Sequence, residues 1–143
     1  MAVINYPNAQ STLTLNGVLF QNLAQGGSLS LAPANARTSR TNSAGGGLSV
    51  SNRIDGGVHD LTIMVQKHSA DDKFLNDSRN SDLPVLFEGS MKRAYSENGT
   101  SKKSTTSLNN GTITTQATND DNNLESDNSR TYVIQFRDAK ELF

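Results

Sequence analysis

Val58-His59-Asp60-Leu61-Thr62-Ile63-Met64-Val65-Gln66, then Ser69-Ala70-Asp71-Asp72-Lys73-Phe74-Leu75, then Leu83-Pro84-Val85-Leu86-Phe87: residues 58–91 read strand, short helix, strand. His59, Leu61, Ile63 and Val65 alternate with Asp60, Thr62, Met64 and Gln66, the period of two that defines a half-buried strand. Ser69 offers a side-chain oxygen to the free N–H groups of a helix start, and Asp72 three residues on completes a capping box in its aspartate form. Asp71 and Asp72 fall where the helix dipole favours negative charge, and Phe74 and Leu75 supply the apolar stripe. Pro84 forbids continuation of the helix, so residues 85–87 restart an extended segment.

Working outward, the strands on either side are announced by turns. Leu13 and Leu15 alternate with threonines and run into Asn16-Gly17, the favoured pair for a type I′ hairpin turn, so residues 10–23 predict a first hairpin. Gly26-Gly27 breaks the chain before another short strand with Leu29 and Leu31. Residues 33–47 contain almost nothing to bury and predict a long loop that is either mobile or ordered by something outside the monomer. Leu48, Val50 and Ile54 then alternate loosely with polar residues, ahead of Gly56-Gly57. Asn98-Gly99 and Asn110-Gly111 predict two further hairpin turns, and the amide-rich acidic segment 119–128 reads as a solvated turn. The closing strand, residues 129–138, sets Tyr132, Ile134 and Phe136 against Thr131, Val133, Gln135 and Arg137.

Nearly every strand therefore has one aliphatic face and one face of Ser, Thr, Asn or Gln, the pattern of antiparallel sheet with one dry side. The predicted fold is mainly β, an antiparallel β-barrel or sandwich with one short flanking α-helix. Its 143 residues form a single domain with a long arm at about residues 33–47. Only 34% of residues are hydrophobic and none is Trp, so the predicted core is thin.

Composition also restricts function. Thirteen basic and 14 acidic residues are dispersed to a net charge of −1, which leaves no basic stripe for nucleic-acid binding. The chain has no cysteine, hence no disulfide framework and no thiolate chemistry. Residues 1–6 lack the charged and apolar regions of a signal peptide, and no segment approaches the roughly 20 apolar residues of a membrane span. A soluble cytosolic product with no membrane partner is expected. His59 and His68, nine apart and without an H-E-x-x-H pattern, make a poor metal site. The acidic run at 119–127 lacks the glycine of a calcium loop. Gly45-Gly46-Gly47 lacks the Lys-Ser pair and following helix of a phosphate loop. No catalytic residues, metal or cofactor are expected, and an enzyme is disfavoured because no nucleophile has a neighbouring base.

Three stretches carry a family likeness: Gly57-Val58-His59-Asp60-Leu61-Thr62-Ile63, the helix after Ser69 leading to Leu83-Pro84-Val85, and Thr131-Tyr132-Val133-Ile134-Gln135-Phe136. Over most of its length the chain resembles tail tube proteins of contractile-tailed bacteriophages. The tubes of type VI secretion systems and contractile bacteriocins look similar and are not separated from them by these motifs. The resemblance implies a structural virion protein of the viral tail. It would self-assemble into hexameric rings stacked into an inner tube, the conduit for DNA ejection. Its implied partners are further copies of itself, sheath, baseplate and tail terminator proteins, and double-stranded DNA passing through the lumen. A thin core suits a subunit stabilised by assembly. On this reading Pro33, Arg37, Arg40, Gly45, Gly46 and Gly47 belong to an inter-subunit arm. Asp71, Lys73 and Asp77 lie on the outward side of the helix, where a sheath would meet it. A β-sandwich presenting its loops to a carbohydrate or receptor is the rival reading, weakened by the absence of Trp.

Overall fold

The computed structural model describes residues 2–6, 11–24, 29–117 and 128–143. Pro7, Gln10, the Gly26-Gly27 break and the acidic run at 119–127 lie outside the described residues. In chain order the elements are β1 (Ile4–Asn5), β2 (Thr12–Leu15), β3 (Val18–Leu19), β4 (Leu29–Pro33), β5 (Thr38–Asn42) and β6 (Leu48–Asn52). There follow β7 (His59–Gln66), α1 (Ala70–Arg79), β8 (Phe87–Glu97), β9 (Thr100–Thr115) and β10 (Ser129–Leu142).

The main sheet runs β3-β2-β8-β9-β10-β7-β4, with β1 added on β8. Each pairing is antiparallel. The sheet curls into a sandwich-like form without closing as a barrel. Residues 20–24 carry the chain from the β3 edge across to β7, where the Ala24 N–H donates to Met64 O and the Gln66 N–H to Asn22 O, both at 2.9 Å.

The alternation of β7 and β10 builds the core as expected. Leu61, Ile63 and Val65 lie beside Tyr132, Ile134 and Phe136, all fully buried, in the register Leu61↔Ile134 and Ile63↔Tyr132. Leu13, Leu15, Phe87, Leu108 and Leu75 complete it. Each such side chain contributes about 1.5–3 kcal/mol by leaving water. The half-buried Phe74 meets Phe20 and Phe87 edge-to-face, with ring centroids 5.9 and 6.0 Å away.

Two of the three Asn-Gly turns form as expected. Asn16-Gly17 (φ +49°, +79°) joins β2 to β3, and Asn98-Gly99 (φ +51°, +82°) joins β8 to β9. Asn110-Gly111 does not make a hairpin; it lies inside β9, where the register against β8 shifts between Phe87 and Gly89. The dipeptide serves a bulge instead. Asn110 takes φ +53°, and a Cβ on Gly111 would overlap the Phe136 ring and lie 2.9 Å from Ile134 Cγ2. Positive φ and a close approach are thus supplied in mid-strand, a use that sequence cannot distinguish from a turn.

The predicted loop at 33–47 is also corrected. It contains β5, which pairs with β6 as a two-stranded hairpin separate from the main sheet, in the register Thr38↔Asn52, Arg40↔Val50, Asn42↔Leu48. The turn is closed by Ser43: its N–H donates to Gly47 O at 2.8 Å, and its Oγ accepts from the Gly47 N–H at 2.9 Å. Strand pairing satisfies the backbone whether or not a side chain is buried. The absence of anything to bury therefore did not forbid strands here.

Candidate assembly surfaces

The hairpin arm is two-faced. Because cross-strand partners share a face, Thr38, Arg40, Asn42, Leu48, Val50 and Asn52 fall on one side. The four hydroxyl residues Ser39, Thr41, Ser49 and Ser51 fall on the other. Every residue of both strands is exposed. Leu48 and Val50 each keep more than half of their surface, and Ile54 at the arm's base is fully open. An isolated two-stranded hairpin is marginal in water, so an arm that presents aliphatic side chains to solvent lacks the contact that would stabilise it.

At the base, the Arg53 N–H donates to Arg37 O at 3.0 Å, bringing the two ends of the arm together. Arg53 also forms a bidentate pair with Asp55 at 2.9 and 3.0 Å, and this guanidinium holds the Asp55 carboxyl below its usual range. Arg37, Arg53, Arg137 and Lys140 line an open polar groove of about 550 Å³ there, with Glu88 and Asp138. A second open cleft, of about 500 Å³, lies at the far end of the β8–β9 hairpin between Ile4, Tyr6, Tyr95 and Phe143. Arg93 stacks over the Tyr6 ring there, 4.4 Å from its centroid.

The helix is held at its start by two buried carboxylates. Ser69 caps as expected: its Oγ accepts from the Asp72 N–H at 3.3 Å. The reciprocal bond differs, since Asp72 Oδ2 accepts from the His68 N–H at 2.9 Å. Asp72 Oδ1 accepts from the Tyr132 hydroxyl at 2.7 Å and from Arg130 at 3.3 Å. Burial, reinforced by Asp72, pushes the Tyr132 hydroxyl above its usual range. Asp71 Oδ2 accepts from the backbone N–H groups of Gln21 and Asn22 at 2.9 and 2.5 Å. The first helical turn is therefore fastened to residues 21–22 on one side and to β10 on the other.

The chain shares its fold with a chain of the anti-feeding prophage cap. That structure, described as the tube-terminating cap of the prophage, superposes with a TM-score of 0.63 at 10% sequence identity. The match covers 96% of the present chain and 90% of the cap chain. No protein-family model and no curated protein sequence matches the chain.

The residues expected at interfaces fall into two groups in the fold. Pro33 ends β4 opposite His59, and Arg37, Arg40, Gly45, Gly46 and Gly47 all belong to the arm or its base, exposed. Gly46 supplies the positive φ of the arm's turn, at +88°. Lys73 and Asp77 are exposed on α1. Asp71 is not: it is 3% exposed and faces inward to residues 21–22, which overturns its placement on the outer face. Its position in the first turn suits the helix dipole, which an exposed and a buried carboxylate satisfy equally. The loose alternation of Leu48, Val50 and Ile54 does not by itself say whether a core covers them. Their all-polar surroundings (Ser49, Ser51, Asn52, Arg53) were the available sign that no core lay beside them.

His59 and His68 have structural surroundings. His59 Nδ1 lies 2.7 Å from Gly57 O, and His68 turns the chain into the helix at φ +67°. Among the described residues no group of three or more His, Asp or Glu could hold a metal ion, and no helix is long and apolar enough to cross a membrane.

Proposed function

We propose that this chain is a structural subunit of a phage-tail-like tube, assembling with copies of itself into hexameric rings that stack. What carries this reading is the fold shared with the anti-feeding prophage cap over nearly the whole of both chains. The arm adds independent support, because it buries neither face within its own chain and so requires a neighbour. Sheet edges supply a second reason: β3 and β4 end the sheet with unpaired backbone groups, a hazard in a monomer that ring formation would remove.

The outward row of β7 and β10 includes Asp60, Thr62, Met64, Thr131, Val133, Gln135 and Arg137, nearly neutral with one carboxylate and one cation. Such a surface suits a conduit for DNA, since each cation–phosphate contact would add salt-dependent affinity. On this reading the sheath meets the exposed side of α1, at Lys73 and Asp77, and baseplate and terminator proteins meet the ends of the tube. The phage tail and the secretion or bacteriocin tube share this architecture, and DNA passage belongs to the first of these.

The description of the matched structure favours one second reading, a ring that terminates a tube instead of extending it. Negative-stain microscopy of the purified protein across a concentration series tests both. Tubes of unlimited length support the tube subunit, single rings that do not stack support the terminator, and dispersed monomers at every concentration and with every nucleating partner refute both.

A further inference from the structure

Resting on the reading that copies of this chain assemble, the structure also indicates where the arm binds. Residues 36–54 contain three arginines, Arg37, Arg40 and Arg53, and no carboxylate. Arg53 is held by Asp55, whereas Arg40 makes no ion pair among the described residues and stands beside Val50 on the aliphatic face. A partner for this face needs exposed aliphatic surface flanked by uncommitted carboxylates.

The turn after α1 has that chemistry. Leu83 is 76% and Leu86 59% exposed, with Pro84 stiffening the backbone between them. Asp82 beside them and Asp77 on the preceding helix are exposed and make no ion pair among the described residues. The nearby cation, Arg79, is directed elsewhere, donating to Asn76 Oδ1 and to Ala117 O. The competing apolar patch around Tyr6 and Phe143 is mixed in charge: Arg93, Glu97 and Glu141 line it, and Glu97 is already paired with Lys102 at 2.7 Å. It offers the arginines of the arm one carboxylate outside that pair, Glu141, beside the cation Arg93.

We propose that the β5–β6 arm of one copy docks its Arg40–Leu48–Val50 face on the Asp82–Leu83–Leu86 turn of a second copy. The aliphatic contact supplies most of the affinity, and the Arg40–Asp82 pair sets its orientation, since charge complementarity acts chiefly on specificity. Two different surfaces of the same chain meet, so the contact, repeated head-to-tail as the proposed ring requires, generates a ring or filament.

The cysteine-free chain makes the test specific. Val50→Cys and Leu83→Cys alter exposed side chains and leave the core untouched. When the two single variants are mixed under assembly conditions and oxidised, a mixed disulfide dimer is expected to dominate over either homodimer. Mixing Val50→Cys with Phe143→Cys is expected to give at least tenfold less. In parallel, Arg40→Asp and Asp82→Arg should each raise the concentration needed for assembly about tenfold, and the double variant Arg40→Asp/Asp82→Arg should restore it. A dominant Val50–Phe143 adduct overturns the proposal. So does a wild type that assembles while the Val50–Leu83 adduct is missing and both charge reversals are silent; in that case the assembly reading stands. Failure of the wild type to self-associate at all overturns both.

Discussion

Replacing Asp71 by Ala separates a helix fastened by its carboxylates from one merely packed on the sheet. Asp71 Oδ2 accepts two backbone N–H bonds, from Gln21 and Asn22, and the residue is 3% exposed. Hydrogen bonds to a charged group contribute about 1.5–3 kcal/mol each when their donors are shielded from water. Gln21 is exposed, so water replaces the carboxylate there at little cost, whereas Asn22 is half-buried beside β7. The expected loss is therefore about 2–3 kcal/mol, below the sum of two shielded bonds. Asp77→Ala on the same helix removes an exposed carboxylate and should stay within about 0.5 kcal/mol of wild type. In urea denaturation followed by circular dichroism, Asp71→Ala should shift the midpoint down by about 1–2 M with an unchanged slope. Amide exchange should speed up first at Gln21 and Asn22, the groups that lose their acceptor. If Asp71→Ala and Asp77→Ala unfold at the same urea concentration, the carboxylate contributes nothing beyond an ordinary surface charge and the fastening argument is wrong.

Leu75→Ala, at a fully buried position, should cost about 2–5 kcal/mol by calorimetry; the half-buried Phe74 should cost less than a fully buried ring when truncated, reversing the order expected from side-chain size. Tyr132→Phe removes a buried donor from Asp72 and should destabilise by about 1–3 kcal/mol at neutral pH. Because burial raises the native phenol above the ordinary value of 10.0, its contribution is complete below that value and is lost as pH rises through the higher native one. A denaturation series on the alkaline side should thus fall more steeply for wild type than for Tyr132→Phe, and parallel curves would contradict the assignment. Replacing residues 38–52 by a two-residue link is feasible because Arg53 N–H already bonds Arg37 O. The shortened chain should keep the melting behaviour of the main sheet and lose self-association; retained assembly would show the arm to be dispensable.

The sequence by itself determined what depends on local periodicity and local turn chemistry. The alternation in residues 59–66 and 129–136, the cap at Ser69 and the left-handed turns at Asn16-Gly17 and Asn98-Gly99 are properties of a few adjacent residues. Each recurs in the structure as expected. Tertiary structure alone decided those features whose meaning depends on distant partners. Asn110-Gly111 has the same chemistry as the two real hairpin turns, and only the Phe136 ring beneath Gly111 makes it a bulge. Asp71 and Asp77 are both carboxylates on one helix, and only the arrival of residues 21–22 from the first hairpin makes the former internal. Leu48 and Val50 carry the alternation of a core strand, yet among the described residues the one strand paired with theirs is the equally exposed β5, so they have no core to enter. Periodicity states which side chains share a face; what covers that face is a long-range fact, set by how the sheet curls and by which strands are left outside it.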